Sequence, residues 1–181
     1  MKKKIEAEFV ENFIIIWNSK DGTELYKMGF YGKPLGIPKP KAIEFNVPLV
    51  LDLMEGLYLI EKKMITICED KKKVGAKELL NKARKLYGDF DLRYAVYHDL
   101  RNQGLAVTPG IKFGCDFAVY KQGPGIEHAP FMISVKKRED EMTATEIVRT
   151  GRLATTVRKR FIIAIPNGDK IQYLIFKWFK A

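Results

Sequence analysis

The stretch IKFGCDFAVYKQGPGIEHAPFMISVKK, Ile111–Lys137, decides how the second half of the chain is read. In its first ten residues Phe113, Cys115, Phe117 and Val119 fall on one side of an extended chain, with Gly114, Asp116, Ala118 and Tyr120 on the other. That period of two predicts a strand over 111–120. A Gly-Pro-Gly turn follows at 123–125, and FMISVKK resumes as a second strand. His128, one of two histidines in the chain, stands between them.

Outward from this pair the periods alternate. On the C-terminal side the spacing predicts a helix from Thr143 to Arg160, then a strand FIIAIP, a turn NGD and a strand KIQYLIFKWF. On the N-terminal side GAKELLNKARKLYGDFDLRYAVYHDLRNQG reads as one or two amphipathic helices ending at Gly104. Helices alternating with strands give an α/β domain with a mixed sheet. Earlier still, EAEFVENFIIIWN reads as strands, SKDG as a turn and TELYKMGF as a further strand. LVLDLMEGLYLIEKKMITI reads as an apolar helix running into a strand. Between these, residues 31–48 hold Pro34, Pro38, Pro40 and Pro48, a density no regular element tolerates, so a long loop is expected. The Gly88-Asp89 break separates an N-terminal α/β domain, 1–87, from a C-terminal one, 88–181. No internal repeat or low-complexity segment interrupts either.

The 181 residues carry 46% apolar side chains, enough to bury a core and to exclude global disorder. The formal charge is +10, with 17 basic and 12 acidic residues in 1–85 against 15 and 10 in 86–181. The excess is spread and is no basic tail, which suits a folded surface that attracts a polyanion. Solubility, or a thermophile's use of Lys and Glu, accounts for it almost as well. Cys68 and Cys115 lack metal-ligand spacing and read as small core residues of a cytoplasmic protein. No segment has the character of a signal peptide or a membrane span.

Three chemical arrangements deserve weighing. In the helix expected near 143–160, Arg149, Arg152, Thr156 and Lys159 share one face, while Ile147, Ala154, Val157 and Phe161 face the sheet. Such a basic stripe suits phosphate, although taken alone it is more often a solvated face. A strand Asp followed by a strand with Glu-x-Lys would suit Mg²⁺. Asp116 is present, but the next strand reads Ser134-Val135-Lys136, and one carboxylate makes a poor site. No metal or cofactor is therefore expected.

RNA can instead be cut through its own 2′-hydroxyl. That route needs a base, an acid for the leaving 5′-oxygen and a cation for the phosphorane, and Tyr120, His128 and Lys159 can fill these places. Histidine is the natural acid near neutral pH. Tyrosine, ordinarily titrating near 10, is a weak base unless cations lower it. The alternative for His128 is an ordinary loop histidine. His98, inside a helical run, has the weaker claim.

YAVYHDLRNQGLAVTPGIKFGCDFAVYKQGPGIEHAPF and TGRLATTVRKRFIIAI closely resemble the archaeal tRNA-splicing endonucleases over the whole C-terminal half. YGKP and MEGLYLI extend the likeness more loosely into the N-terminal half. The resemblance implies a restriction-endonuclease-like C-terminal domain and metal-independent cleavage of precursor tRNA at bulge–helix–bulge junctions, leaving a 2′,3′-cyclic phosphate and a 5′-hydroxyl. It implies Tyr120 as general base, His128 as general acid and Lys159 as the transition-state cation. It further implies that Arg152 clamps a flipped bulge base, and Arg149, on the same stripe, is a further candidate for RNA binding. Trp178 is the candidate for the opposite side of that clamp, with a core or interface role equally open.

Two departures bear on assembly. The loop before Pro48 is about ten residues longer than in short homotetrameric members, as in the crenarchaeal type. IPNGDKI is a short turn where the family has an acidic docking loop, leaving Asp169 or a partner's loop to serve. Both favour a homodimer of this catalytic chain joined by separate structural subunits as a heterotetramer. A non-catalytic RNA-binding subunit is a second reading, which the intact Tyr120, His128 and Lys159 oppose. A metal-dependent resolvase-like nuclease is a third, which Ser134 opposes.

Overall fold

Ile5, Ala7 and Phe9 alternate with Glu6 and Glu8, so one face of the first strand is apolar and the other charged. In a computed structural model of the chain, this strand, β1 (Ile5–Val10), is central to the first of two compact units, residues 1–90 and 91–181. The structure describes all residues except 1–3, 38–39, 41, 157–158, 169 and 177–181.

The first unit is a six-stranded mixed sheet with three helices. Its other strands are β2 (Phe13–Ile16), β3 (Lys33–Pro34), β4 (Leu49–Leu51), β5 (Ile65–Glu69) and β6 (Lys72–Val74), in the order β3-β4-β2-β1-β5-β6. Only β1 and β5 run parallel. Ile14, Ile16, Leu49, Leu51 and Ile67 are fully buried beneath helices α1 (Ser19–Gly29), α2 (Leu53–Glu61) and α3 (Ala76–Leu86). The opposite face leaves Phe13 and Trp17 exposed.

SKDG, expected as a turn, is the first turn of α1. Asn18 decides this, because its side chain accepts the amides of Lys20 and Asp21, while Gly22, Leu25 and Tyr26 turn inward at helical spacing. Among the described residues of 31–48 the one regular element is the two-residue β3, and the latter part folds back on α1. Phe45 packs edge-on against Tyr26, its carbonyl accepts the Thr23 hydroxyl, and Glu44 pairs with Lys27.

LVL is strand β4 rather than helix, since Asp52 caps α2 in a reciprocal box with Glu55. The buried Glu55 carboxylate accepts the amides of Gly32, at 2.7 Å, and of Asp52, at 3.0 Å. It thus pins the start of the long loop to α2. Glu55→Ala orphans both amides and should destabilise the fold by about 2–4 kcal/mol, read from urea unfolding.

The second unit opens within α4 (Phe90–Asn102), which follows Asp89 at a φ of 56°. Five strands follow: β7 (Ala106–Pro109), β8 (Phe117–Tyr120), β9 (Phe131–Val135), β10 (Arg160–Asn167) and β11 (Lys170–Ile175). Their order is β11-β10-β9-β8-β7, and only β9 and β10 are parallel, joined through α5 (Ala144–Thr156). The expected mixed α/β sheet is therefore present.

Its strand 111–120 is shorter than the alternation suggested. Ile111–Phe113 is one 3-10 turn between Gly110 and a left-handed Gly114, and extended pairing starts only at Phe117. A Cβ on Gly110 would stand 2.8 Å from the Cys115 carbonyl oxygen, so the turn closes only around glycine. Arg101, buried in α4, donates to Tyr97 Oη and to the carbonyl of Val107, locking α4 to β7. No helix among the described residues is long and apolar enough to cross a membrane.

Candidate active site

Strand register alone gathers the site. Val119 pairs with Phe131, and Phe131 with Arg160. One step outward, Tyr120, Pro130 and Lys159 therefore stand level at the same end of three adjacent strands. Parity fixes the face. Ala118 pairs with Met132 and Met132 with Phe161, so Tyr120 and Lys159 belong to the face that carries Met132 and Phe161. Those two residues and Ile163 form a buried cluster with Phe113, Cys115, Met142 and Ile165 packed against it. Helix α4 serves the opposite face, where Tyr97 lies against Phe117 and Asp99 accepts the Tyr173 hydroxyl at 2.6 Å. Burial, followed by this bond to a carboxylate, raises the Tyr173 pKa.

Lys159 is not the last member of a helical stripe. Helix α5 ends at Thr156, and Lys159 directly precedes β10, whose amide at Arg160 is already bonded to the Pro130 carbonyl at 2.8 Å. The expected face running from Arg149 to Lys159 fails because pairing with β9 draws the chain into the sheet. Phe161, expected to face the sheet from that helix, lies within β10 itself.

Lys159 instead reaches back over the sheet. Its Nζ donates to the Ala129 carbonyl at 2.6 Å and lies 4.9 Å from the centre of the Phe113 ring. Burial lowers its pKa below the ordinary lysine value, and the nearby Cys115 opposes that shift. The Cys115 thiol is itself pushed up to about 11, chiefly by burial, so it is neutral at ordinary pH.

The segment between β8 and β9 closes on itself. The Glu127 carboxylate accepts the Gln122 amide at 2.5 Å, and the Gly123 carbonyl accepts the amides of Ile126 and Glu127. The bond from the Gln122 amide, above all, holds the Glu127 pKa low. Ala129 is buried, whereas His128 beside it is exposed. His128 thus projects from a segment held on both sides, two residues from the level of Tyr120 and Lys159. His98, half-buried in α4, lies 3.1 Å through Nδ1 from the Asn102 amide and packs beside Tyr94.

Asp116 has a structural load. One carboxylate oxygen accepts Arg93 Nε at 2.8 Å and the other accepts the Val135 amide at 2.8 Å. Ser134 faces Ile163 in the register. Arg149 and Arg152 lie exposed on α5, one turn apart. Trp178 and Asp169 lie outside the described residues. In the sequence, Phe113 reads only as a strand residue. Its two flanking features, Gly110 and Gly114, were the available signal that it sits on a turn aimed at Lys159.

Comparison with known proteins covers both units. The family model for the tRNA intron endonuclease catalytic C-terminal domain matches residues 90–173, and that for the tRNA intron endonuclease N-terminal domain matches residues 5–80. A tRNA-splicing endonuclease of Hyperthermus butylicus is 43% identical over 92% of this chain and 93% of its own. One from Sulfurisphaera tokodaii is 42% identical over 96% and 98%, and one from Sulfolobus acidocaldarius 39% over 97% and 99%.

Proposed function

The chain belongs to the tRNA intron endonuclease family, a nuclease of tRNA processing, and we propose that it is the catalytic subunit, cutting precursor tRNA at bulge–helix–bulge splice sites without a metal. The observation that carries this reading is the shared strand level and face of Tyr120 and Lys159, with His128 two residues away.

In the reaction, the 2′-oxygen beside the scissile phosphate attacks phosphorus while the bond from phosphorus to the 5′-oxygen breaks. The phenolate of Tyr120 takes the 2′-hydroxyl proton, and the His128 imidazolium gives a proton to the departing 5′-oxygen. Lys159 stands against the extra negative charge of the phosphorane. The products are a 2′,3′-cyclic phosphate and a 5′-hydroxyl. Asp116 takes no part in this route, since Arg93 and the Val135 amide already occupy its carboxylate.

Arg152 holds a splayed-out bulge base, with Arg149 on neighbouring phosphate. The enzyme works in the cytoplasm as a homodimer joined by structural subunits. Support for assembly comes from β11, an edge strand whose Leu174 and Ile175, with the following Phe176, are exposed. Two active sites at a fixed separation can then read two bulges at once.

The test is incubation with an intron-containing precursor tRNA in excess EDTA, with and without a co-expressed structural subunit. Cleavage with cyclic-phosphate ends is expected. Cutting that requires Mg²⁺, or none in the presence of the structural subunit, would overturn the proposal.

A further inference from the structure

Phe113 is the aromatic residue directly beneath the Lys159 ammonium, and the surrounding backbone is built to hold it there. Gly110 and Gly114 close the 3-10 turn that carries it, with the Phe113 amide on the Gly110 carbonyl and the Gly110 amide on the Asp116 carbonyl, both at 2.8 Å. Asp116 is then clamped through its side chain to α4 and β9, and its amide bonds the Ile133 carbonyl at 3.0 Å. A turn fixed at this many points leaves the ring little freedom.

Resting on the assignment of Lys159 to transition-state charge, we propose that Phe113 is a positioning residue of the reaction, an aromatic seat that aims the Lys159 ammonium at the phosphorane. A lysine head on four methylenes is otherwise a mobile point charge. Here the ring face, 4.9 Å from Nζ, and the Ala129 carbonyl, 2.6 Å away, fix it from two sides, with no opposing carboxylate among the described residues. A carboxylate partner would neutralise the cation, whereas a ring and a carbonyl leave its full charge for the substrate. Cys115 does not cancel that charge either, because its thiol stays protonated. Ala129 adjoins His128, so the same ammonium also ties down the segment that carries the acid.

Phe113→Leu, which removes the ring but keeps an apolar side chain, should lower the single-turnover cleavage rate about tenfold, the worth of roughly one desolvated cation–ring contact. Its affinity for precursor tRNA should stay within about twofold of the parent, since a seat that acts only at the transition state leaves ground-state binding alone. Phe113→Tyr, which restores a ring, should cleave within about threefold of the parent. In a Lys159→Met background, Phe113→Leu should have no further effect. Phe113→Met is run alongside, so that a packing defect in one variant, read by thermal unfolding, does not decide the outcome.

A parental rate in both Phe113→Leu and Phe113→Met, with Lys159→Met slow, would overturn the seat alone. So would multiplying effects in the double variant, or a loss confined to RNA affinity. A parental rate in Lys159→Met would overturn the assignment of Lys159 and the seat with it.

Discussion

His128→Ala slows single-turnover cleavage of a precursor tRNA by about 10²–10⁴-fold, the usual contribution of a general acid, while binding stays within about threefold. The separation of the two effects follows from how the segment is held. The imidazole is exposed, and the chain on either side is fixed by groups other than the ring. Glu127 holds the Gln122 amide, the Gly123 carbonyl holds two amides, and buried Ala129 takes Lys159. Deleting an exposed ring from such a frame should change stability by no more than about 0.5 kcal/mol, so a slow variant is not an unfolded one.

A chemical rescue makes the expectation sharper. A substrate with sulfur in place of the bridging 5′-oxygen loses a thiolate, which leaves without protonation. His128→Ala should cleave that substrate at close to the parental rate. Equal losses in cleavage and binding, or no rescue by sulfur, would remove His128 from the role of acid.

What the sequence disclosed follows from the range of the interactions involved. Alternation and helical spacing are local, so α3, α4, β9, β10 and β11 could be read from neighbours in the chain. SKDG was misread because turn-forming residues also open helices, and the deciding group was Asn18, one residue outside it. The start of β8 was misplaced because Phe113 and Cys115 keep the apolar parity of a strand while their backbone forms a 3-10 turn. Gly110, which has no room for a Cβ, and Gly114, at a positive φ of 67°, mark the difference.

The candidate site shows the same division. Tyr120, His128 and Lys159 can be named as candidates from the sequence, yet Lys159 lies outside the helix whose stripe is expected to present it. Its position comes from parallel pairing of β10 with β9, a contact across 29 residues that no local period encodes. The Phe113 ring and the Ala129 carbonyl around Lys159 are likewise distant in sequence.

Lys159→Met should slow cleavage by about 10²–10³-fold with RNA affinity little changed, since a cation aimed at developing charge acts mainly at the transition state. Its stability should distinguish this residue from an ordinary structural lysine. Burial disfavours the charged head and lowers its pKa from 10.5, with the nearby Cys115 opposing that shift. A folded-state pKa below the unfolded value means that the unfolded chain binds more protons in the interval between them. Lys159 therefore burdens the fold at neutral pH, and that burden is relieved as pH rises toward 10.5. The parent chain should gain stability relative to Lys159→Met across that alkaline window, measured by urea unfolding at a series of pH values. A neutral side chain of similar length has no such dependence. A structural lysine held by a carboxylate would give the opposite slope, because its folded pKa would be raised. Slow cleavage with this rising slope identifies a charge kept partly desolvated for use on the substrate. Parental cleavage, or a falling slope, would place Lys159 among the groups that merely hold the sheet together.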